Sequence, residues 1–210
     1  MIKLHYFPLY GRAEPLRLLF HKCKLPWQEV AITKDEWPKV KRSGKFEFDQ
    51  LPIVEMEGKT MSQTKAILRY IGSQHGFYPK EAWEAYLVDL LIDSGDDIAP
   101  HMFRARTEPN PDVQKTLKTE LFDTHLPRYY AALERRIQQN STQKFLVGQK
   151  LTIADMALAG RTFGFAYNPA CPWREEGKKA FDANPGLKTW VGNMEKEFAD
   201  YLHQRPTREW

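Results

Sequence analysis

Apolar and polar positions change period several times along the chain. Lys3–Tyr6 and Gln28–Ala31 read as short strands. Between them, Ala13–Lys22 carries Leu16, Leu18, Leu19 and Phe20 on an apolar helical face, with Pro15 tolerated in the first turn. A strand–helix–strand order of this length suits a parallel unit. Ile53–Met56 and Lys59–Met61 flank Glu57-Gly58, a hairpin signal. Gln63–Ser73 then places Ala66, Ile67, Tyr70 and Ile71 on one helical face. Phe77–Lys80 breaks that helix as a linker, and everything beyond it is helical in period. Glu81–Ile98 and Asp112–Gln139 read as helices, the second kinked at Pro127. Thr152 followed by Asp155 is a capping arrangement ahead of another apolar helix. The predicted class is α+β: a βαβ-ββα domain over residues 1–77, then an all-α domain over 81–210.

The bulk numbers narrow the classes of function. A chain of 210 residues with 42% hydrophobic and 28% charged residues is ordinary for a soluble globular protein. Its net charge of +4 is spread along the chain, which argues against nucleic acid as a partner. The two cysteines, Cys23 and Cys171, are far apart in sequence, which fits free thiols in a reducing compartment. With no basic-then-apolar leader and no apolar run near 18 residues, a cytoplasmic protein without membrane spans is expected.

Four features of the first domain converge on one kind of ligand. Tyr6 sits where a strand gives way to a loop and then a helix, a place where α/β folds put chemistry. Gln50-Leu51-Pro52 precedes a strand; a cis proline there leaves the backbone of Leu51 free to pair with an extended ligand. Gln63 and Thr64 open a helix, where exposed N–H groups suit a carboxylate. Trp37 and Lys41, four residues apart on a helical turn, share a face and can grip a second carboxylate. Taken singly, each has an ordinary structural explanation: a satisfied phenol, a loop proline, a plain helix cap, a surface aromatic beside a solvated lysine. Together they form a groove for a short peptide bearing two carboxylates and a thiol near Tyr6.

In LHYFPLYGRAEPLR, DEWPKVK, QLPIVEMEG, MSQTKAILRYIG, VDLLIDSGDD, FLVGQKLTIADMAL and YLHQRPTREW the chain resembles the tyrosine-type cytosolic glutathione transferases. EWPKVK and RPTREW look most like the sigma class, Gln63-Thr64 more like the alpha class. The resemblance implies a thioredoxin-like first domain, glutathione as co-substrate with no further cofactor or metal, and a homodimer. It implies that Tyr6 donates a hydrogen bond to the glutathione sulfur and that Arg12 adds positive field. A free thiol has a pKa of about 8.5, so lowering it by about two units needs roughly 2.7 kcal/mol. One charge-assisted hydrogen bond, worth roughly 1.5–3 kcal/mol, is of that size.

By the same resemblance, Trp37 and Lys41 hold the glycine carboxylate, Leu51 ahead of Pro52 pairs with the cysteinyl part, and Gln50, Gln63 and Thr64 hold the γ-glutamyl end. Asp97 matches the aspartate that reaches the partner subunit's ligand, and Phe48 the aromatic key that inserts into the partner. Asp93, Asp96 and Asp97 resemble an acidic set that binds a divalent cation in some sigma-class members. Hydrophobic electrophiles are expected against Phe7, Pro8, Leu9, His101, Arg104 and the C-terminal tail. Conjugation is the leading activity. Glutathione-dependent isomerisation, peroxide reduction and a non-catalytic binding or structural role on the same fold stay open.

Overall fold

The computed structural model describes residues 1–210. Four strands, β1 (Ile2–Tyr6), β2 (Trp27–Ala31), β3 (Ile53–Met56) and β4 (Lys59–Ser62), form one sheet in the order β2-β1-β3-β4. β1 pairs parallel with β2 and antiparallel with β3, and β4 closes the sheet as a hairpin with β3. α1 (Glu14–Lys22) makes the crossover from β1 to β2 and buries Leu16, Leu18, Leu19 and Phe20. α2 (Trp37–Lys41) is a short helix in the β2–β3 connection, and α3 (Thr64–Gln74) follows β4. This is the expected thioredoxin-like βαβ-ββα arrangement.

All later elements are helices: α4 (Ala82–Thr107), α5 (Pro111–Glu120), α6 (Leu126–Gln139), α7 (Ile153–Gly164), α8 (Arg174–Asp182), α9 (Pro185–Glu197) and α10 (Ala199–Gln204). None is long and apolar enough to cross a membrane. The Glu81 carboxylate accepts from the N–H groups of Trp83 and Glu84 and so fixes the start of α4. α4 runs nine residues past the expected end at Ile98, through Pro100. Proline removes one N–H there, while Ile98, Met102 and Ala105 keep the buried stripe going, so packing outweighs the lost bond. The expected single helix from Asp112 is α5 and α6 joined by a π turn, Leu121–His125. The turn lies just before Pro127, whose ring would crowd a regular i−4 carbonyl.

The two halves meet along α1 and α7. Gly160 of α7 lies so close to Pro15 that a Cβ there would stand 2.7 Å from the proline ring nitrogen. Asp155, at the start of α7, is fully buried and accepts from the N–H groups of Leu146 (2.8 Å) and Thr152 (2.9 Å) and from the Trp190 indole (3.0 Å). The capping arrangement read from Thr152 and Asp155 thus also ties α7 to α9 and to the segment before it.

Candidate active site

Strand pairing brings the sequence-predicted residues to one end of the sheet. His5 lies opposite Ile53, and Ile53 opposite Ser62. The next residues outward are therefore Tyr6 at the end of β1, Pro52 at the start of β3 and Gln63 after β4. Ile32, leaving β2, donates its N–H to the Tyr6 carbonyl at 2.9 Å.

Tyr6 is buried, and its hydroxyl accepts the Arg12 N–H at 2.9 Å. The hydroxyl donates to no group of the protein, so its proton stays available. Burial pushes the phenol pKa upward, against the Arg12 N–H and the charges of Arg12, Arg17 and Arg106. Tyr6 is accordingly a neutral donor at pH 7. Gly11 makes this approach possible: it adopts φ +39°, and a Cβ on it would stand 2.5 Å from the Tyr6 hydroxyl.

The Arg12 carbonyl accepts the Thr64 hydroxyl at 3.1 Å, so that hydroxyl ties the loop to α3 and is not a free donor. The N–H groups of Thr64, Lys65 and Ala66 remain unpaired at the start of α3. Gln63 holds φ 68°, ψ 100°, a conformation that costs a side-chain-bearing residue on the order of 1–3 kcal/mol and marks functional sites. The Leu51–Pro52 peptide is cis, and the backbone N–H and C=O of Leu51 make no hydrogen bond within the protein. Phe7 packs edge-on against Trp37, with ring centroids 5.7 Å apart, which brings α2 to the same end. Lys41 and Gln50 are exposed, and Lys41 has no ion-pair partner. The Arg12 guanidinium is likewise unpaired, because Glu14 is taken by Arg17, Arg205 and the Tyr201 hydroxyl.

Beneath the loop lies a buried ionic network invisible in local sequence. Arg17, 2% exposed, grips Glu29 with two nitrogens (2.7 and 3.2 Å). Its Nη1 donates to Glu14 (3.1 Å) and to the carbonyls of Leu9 and Tyr10 (3.2 Å each). Glu14 in turn holds Arg205 at 2.6 Å, and so anchors the tail. The tail runs back across the loop: the Tyr10 hydroxyl donates to the Pro206 carbonyl, and the Tyr10 N–H to the Glu209 carbonyl. Arg106 donates to the Trp210 main-chain oxygen and lies over the Trp210 ring.

Three α4 residues stand in different relations to Tyr6. Arg106 is the α4 residue whose charge reaches Tyr6. His101 and Arg104 lie roughly 140° and 160° around the helix from it. His101 instead stacks on His125 of the π turn, with centroids 3.6 Å apart, and Arg104 is exposed. Phe7 and Leu9 are half-buried and Pro8 exposed beside Tyr6. Asp97 is exposed with no ion pair, whereas Asp93 and Asp96 pair with Lys65 and Asp93 also with Arg69. No group of three or more His, Cys, Asp and Glu side chains is arranged to hold a metal ion. Burial pushes the Cys23 thiol up to about 11 and the Cys171 thiol upward, so neither is an activated nucleophile.

Comparison with known proteins places the chain in a family. Residues 96–205 match the family model "Glutathione S-transferase, C-terminal domain". Glutathione S-transferase A of Cavia porcellus is 33% identical over 156 residues, 74% of this chain and 71% of its own length. Glutathione S-transferase alpha-1 of Rattus norvegicus is 35% identical over 157 residues, 74% of this chain and 69% of its own. A crystal structure described as monomeric Na-GST-3, from Necator americanus, superposes with a TM-score of 0.85 at 25% identity, covering 100% of this chain and 99% of its own. These two curated relatives carry A and alpha names, so the sigma-like stretches assign no class. The chain belongs to the glutathione S-transferase family of enzymes.

Proposed function

We propose that the protein conjugates glutathione to hydrophobic electrophiles, with the sulfur held as thiolate by the Tyr6 hydroxyl. The observation that carries this reading is a buried, neutral phenol whose oxygen already accepts the Arg12 N–H, leaving its proton to donate. Arg12, which has no ion-pair partner, and Arg106, which is held by the tail, add positive field near Tyr6. The rest of glutathione runs along the sheet end: the Leu51 backbone pairs with the cysteinyl part, Trp37 and Lys41 take the glycine carboxylate, and the free N–H groups of α3 with Gln50 and Gln63 take the γ-glutamyl end. Phe7, Pro8, Leu9, Arg106 and Trp210 border the electrophile. Acceleration comes from thiolate stabilisation and proximity, with no acid–base relay.

The test is the ultraviolet absorbance of bound glutathione thiolate across pH. The native protein is expected to titrate about two units below the free thiol, and Tyr6→Phe to bring the midpoint back towards about 8.5. A native midpoint at the free value overturns the mechanism; an unchanged midpoint in Tyr6→Phe moves the role to Arg12 or a backbone donor.

The working form proposed is a homodimer in which Phe48, 52% exposed on a polar loop, inserts into the partner subunit and Asp97 reaches the partner's ligand. Trp83, Tyr86 and Leu90, exposed along one face of α4, supply the apolar surface to meet it. Burying Phe48 contributes roughly 1.5–3 kcal/mol per subunit. Light scattering at micromolar concentration is expected to give a dimer that Phe48→Ser weakens; a native monomer, as Na-GST-3 is described, removes both roles.

A further inference from the structure

Two titratable rings stand face to face at the seam between α4 and the π turn. His101 of α4 stacks on His125, the last residue of the turn, with centroids 3.6 Å apart and ring planes 21° apart. His101 lies roughly 140° around α4 from Arg106, so the pair is separate from the Tyr6 groove.

Aromatic packing alone does not account for the pair. Both rings are only half-buried, and their four nitrogens make no hydrogen bond or ion pair within the protein and stay open to solvent. Burial and the charges of His101 and Arg128 push the His125 pKa down, against Glu120, which leaves its imidazole neutral at pH 7 with a free lone pair. Asp97 and Glu120 are exposed acids near the pair, and Arg104 and Arg128 are exposed cations three residues beyond each histidine. Two acids against two cations give the seam no net charge, so its chemistry is that of the imidazoles.

The backbone reaches this arrangement through an irregularity. Leu126 donates its N–H to the Leu121 carbonyl, five residues back. The extra residue of such a turn swings the following chain by about 100° relative to a regular helix. In the register that results, His125 lies over His101. The spacing suits a shared ion: a tetrahedral metal with nitrogens at about 2.0–2.1 Å sets two imidazole donors about 3.3 Å apart. Rings already stacked at 3.6 Å need only turn about their side-chain torsions to aim one nitrogen each at a common point.

We propose that His101 and His125 together bind one divalent transition-metal ion of the imidazole-preferring kind, Zn²⁺ above all, bridging α4 and the π turn within a single chain. Water completes the coordination, because the protein brings only two ligands to the seam. Nitrogen donors favour Zn²⁺, Cu²⁺ and Ni²⁺ over Mg²⁺ and Ca²⁺, which take oxygen. The site is therefore distinct from Asp93 and Asp96, which Lys65 and Arg69 already hold.

The probe is Zn²⁺, titrated by calorimetry into the full chain at pH 7 in a buffer that does not bind metal. One ion per chain is expected, and millimolar Mg²⁺ should leave the affinity unchanged. His101→Gln and His125→Gln are each expected to weaken binding at least about ten-fold, while the pair Asp93→Asn with Asp96→Asn keeps native affinity. Electron paramagnetic resonance of Cu²⁺ on the native protein, which needs no variant to fold, should show coupling to two imidazole nitrogens. No binding at millimolar Zn²⁺, half an ion per chain, native affinity in either histidine variant, loss of binding in the aspartate variant, displacement by Mg²⁺, or coupling to fewer than two nitrogens overturns the proposal.

Discussion

Arg17→Met tests whether the loop carrying the candidate site rests on the buried ionic network beneath it. Methionine keeps much of the stem volume and removes the guanidinium. Five contacts go: two to Glu29, one to Glu14, and those to the Leu9 and Tyr10 carbonyls. The damage is uneven. The Tyr10 carbonyl keeps the Glu14 N–H, and Glu14 keeps Arg205 and Tyr201. Glu29 is a quarter exposed and retains Arg208 at 3.6 Å, so water and that arginine compensate it in part. The Leu9 carbonyl keeps nothing. Removing one partner of a buried ion pair costs about 3–5 kcal/mol. At roughly 2–4 °C per kcal/mol for a chain of this size, the melting temperature should fall by about 6–20 °C. Calorimetry at pH 7 measures that fall. Conjugation assayed well below the variant's transition reads the loop separately, and should drop, with the thiolate midpoint moving only part of the way towards the free value, since the Arg17 charge is lost while Tyr6 and Arg12 remain. A loss under about 2 °C would refute the reasoning, because the network would then be contributing no more than an exposed ion pair.

Gly11→Ala puts a methyl group 2.5 Å from the Tyr6 hydroxyl in a left-handed conformation. Steady-state kinetics should show at least about a ten-fold loss in kcat, equivalent to about 1.4 kcal/mol, and native kcat would mean the phenol is not the sulfur's partner. Asp155 gives a pH signature. Burial pushes its carboxyl up to about 6, above the ordinary carboxylate range. Its protonated form therefore favours the folded state: that contribution is complete below about 4 and is lost as pH rises through about 6. Urea unfolding at pH 4 and pH 7 should show Asp155→Asn less stable than native at both, with the deficit smaller at pH 7; equal deficits contradict the assignment.

Local signals carried the α+β half. Leu16, Leu18, Leu19 and Phe20 fill the crossover helix as their pattern predicts, and Pro52 is cis where the loop-to-strand position pointed. Those elements were legible because each rests on contacts within a few residues. The electrophile side was hard to read for the opposite reason. Whether His101, Arg104 or Arg106 reaches Tyr6 depends on how α4 continues past Pro100 and on a tail some hundred residues away. The helix from Asp112 hid its π turn, because one additional residue in a helical run leaves composition unchanged. Asp93 and Asp96 read as an acidic cluster only until α3 brings Lys65 and Arg69 against them. Arg17 gave no signal of its own: its partners come from α1, β2 and the loop between β1 and α1.

The single accepted bond at the Tyr6 hydroxyl has a consequence for proton bookkeeping in solution. An oxygen that takes the Arg12 N–H and offers one proton is matched to a guest that only accepts. A neutral thiol must also place its own hydrogen, and the adjoining Arg12 and Arg106 are donors too. If Tyr6 holds the sulfur as proposed, the groove sorts sulfur by ionisation state, and glutathione taken up at neutral pH sheds a proton to the medium as it docks. Titration calorimetry in two buffers of different ionisation enthalpy counts that proton directly, before any electrophile is added.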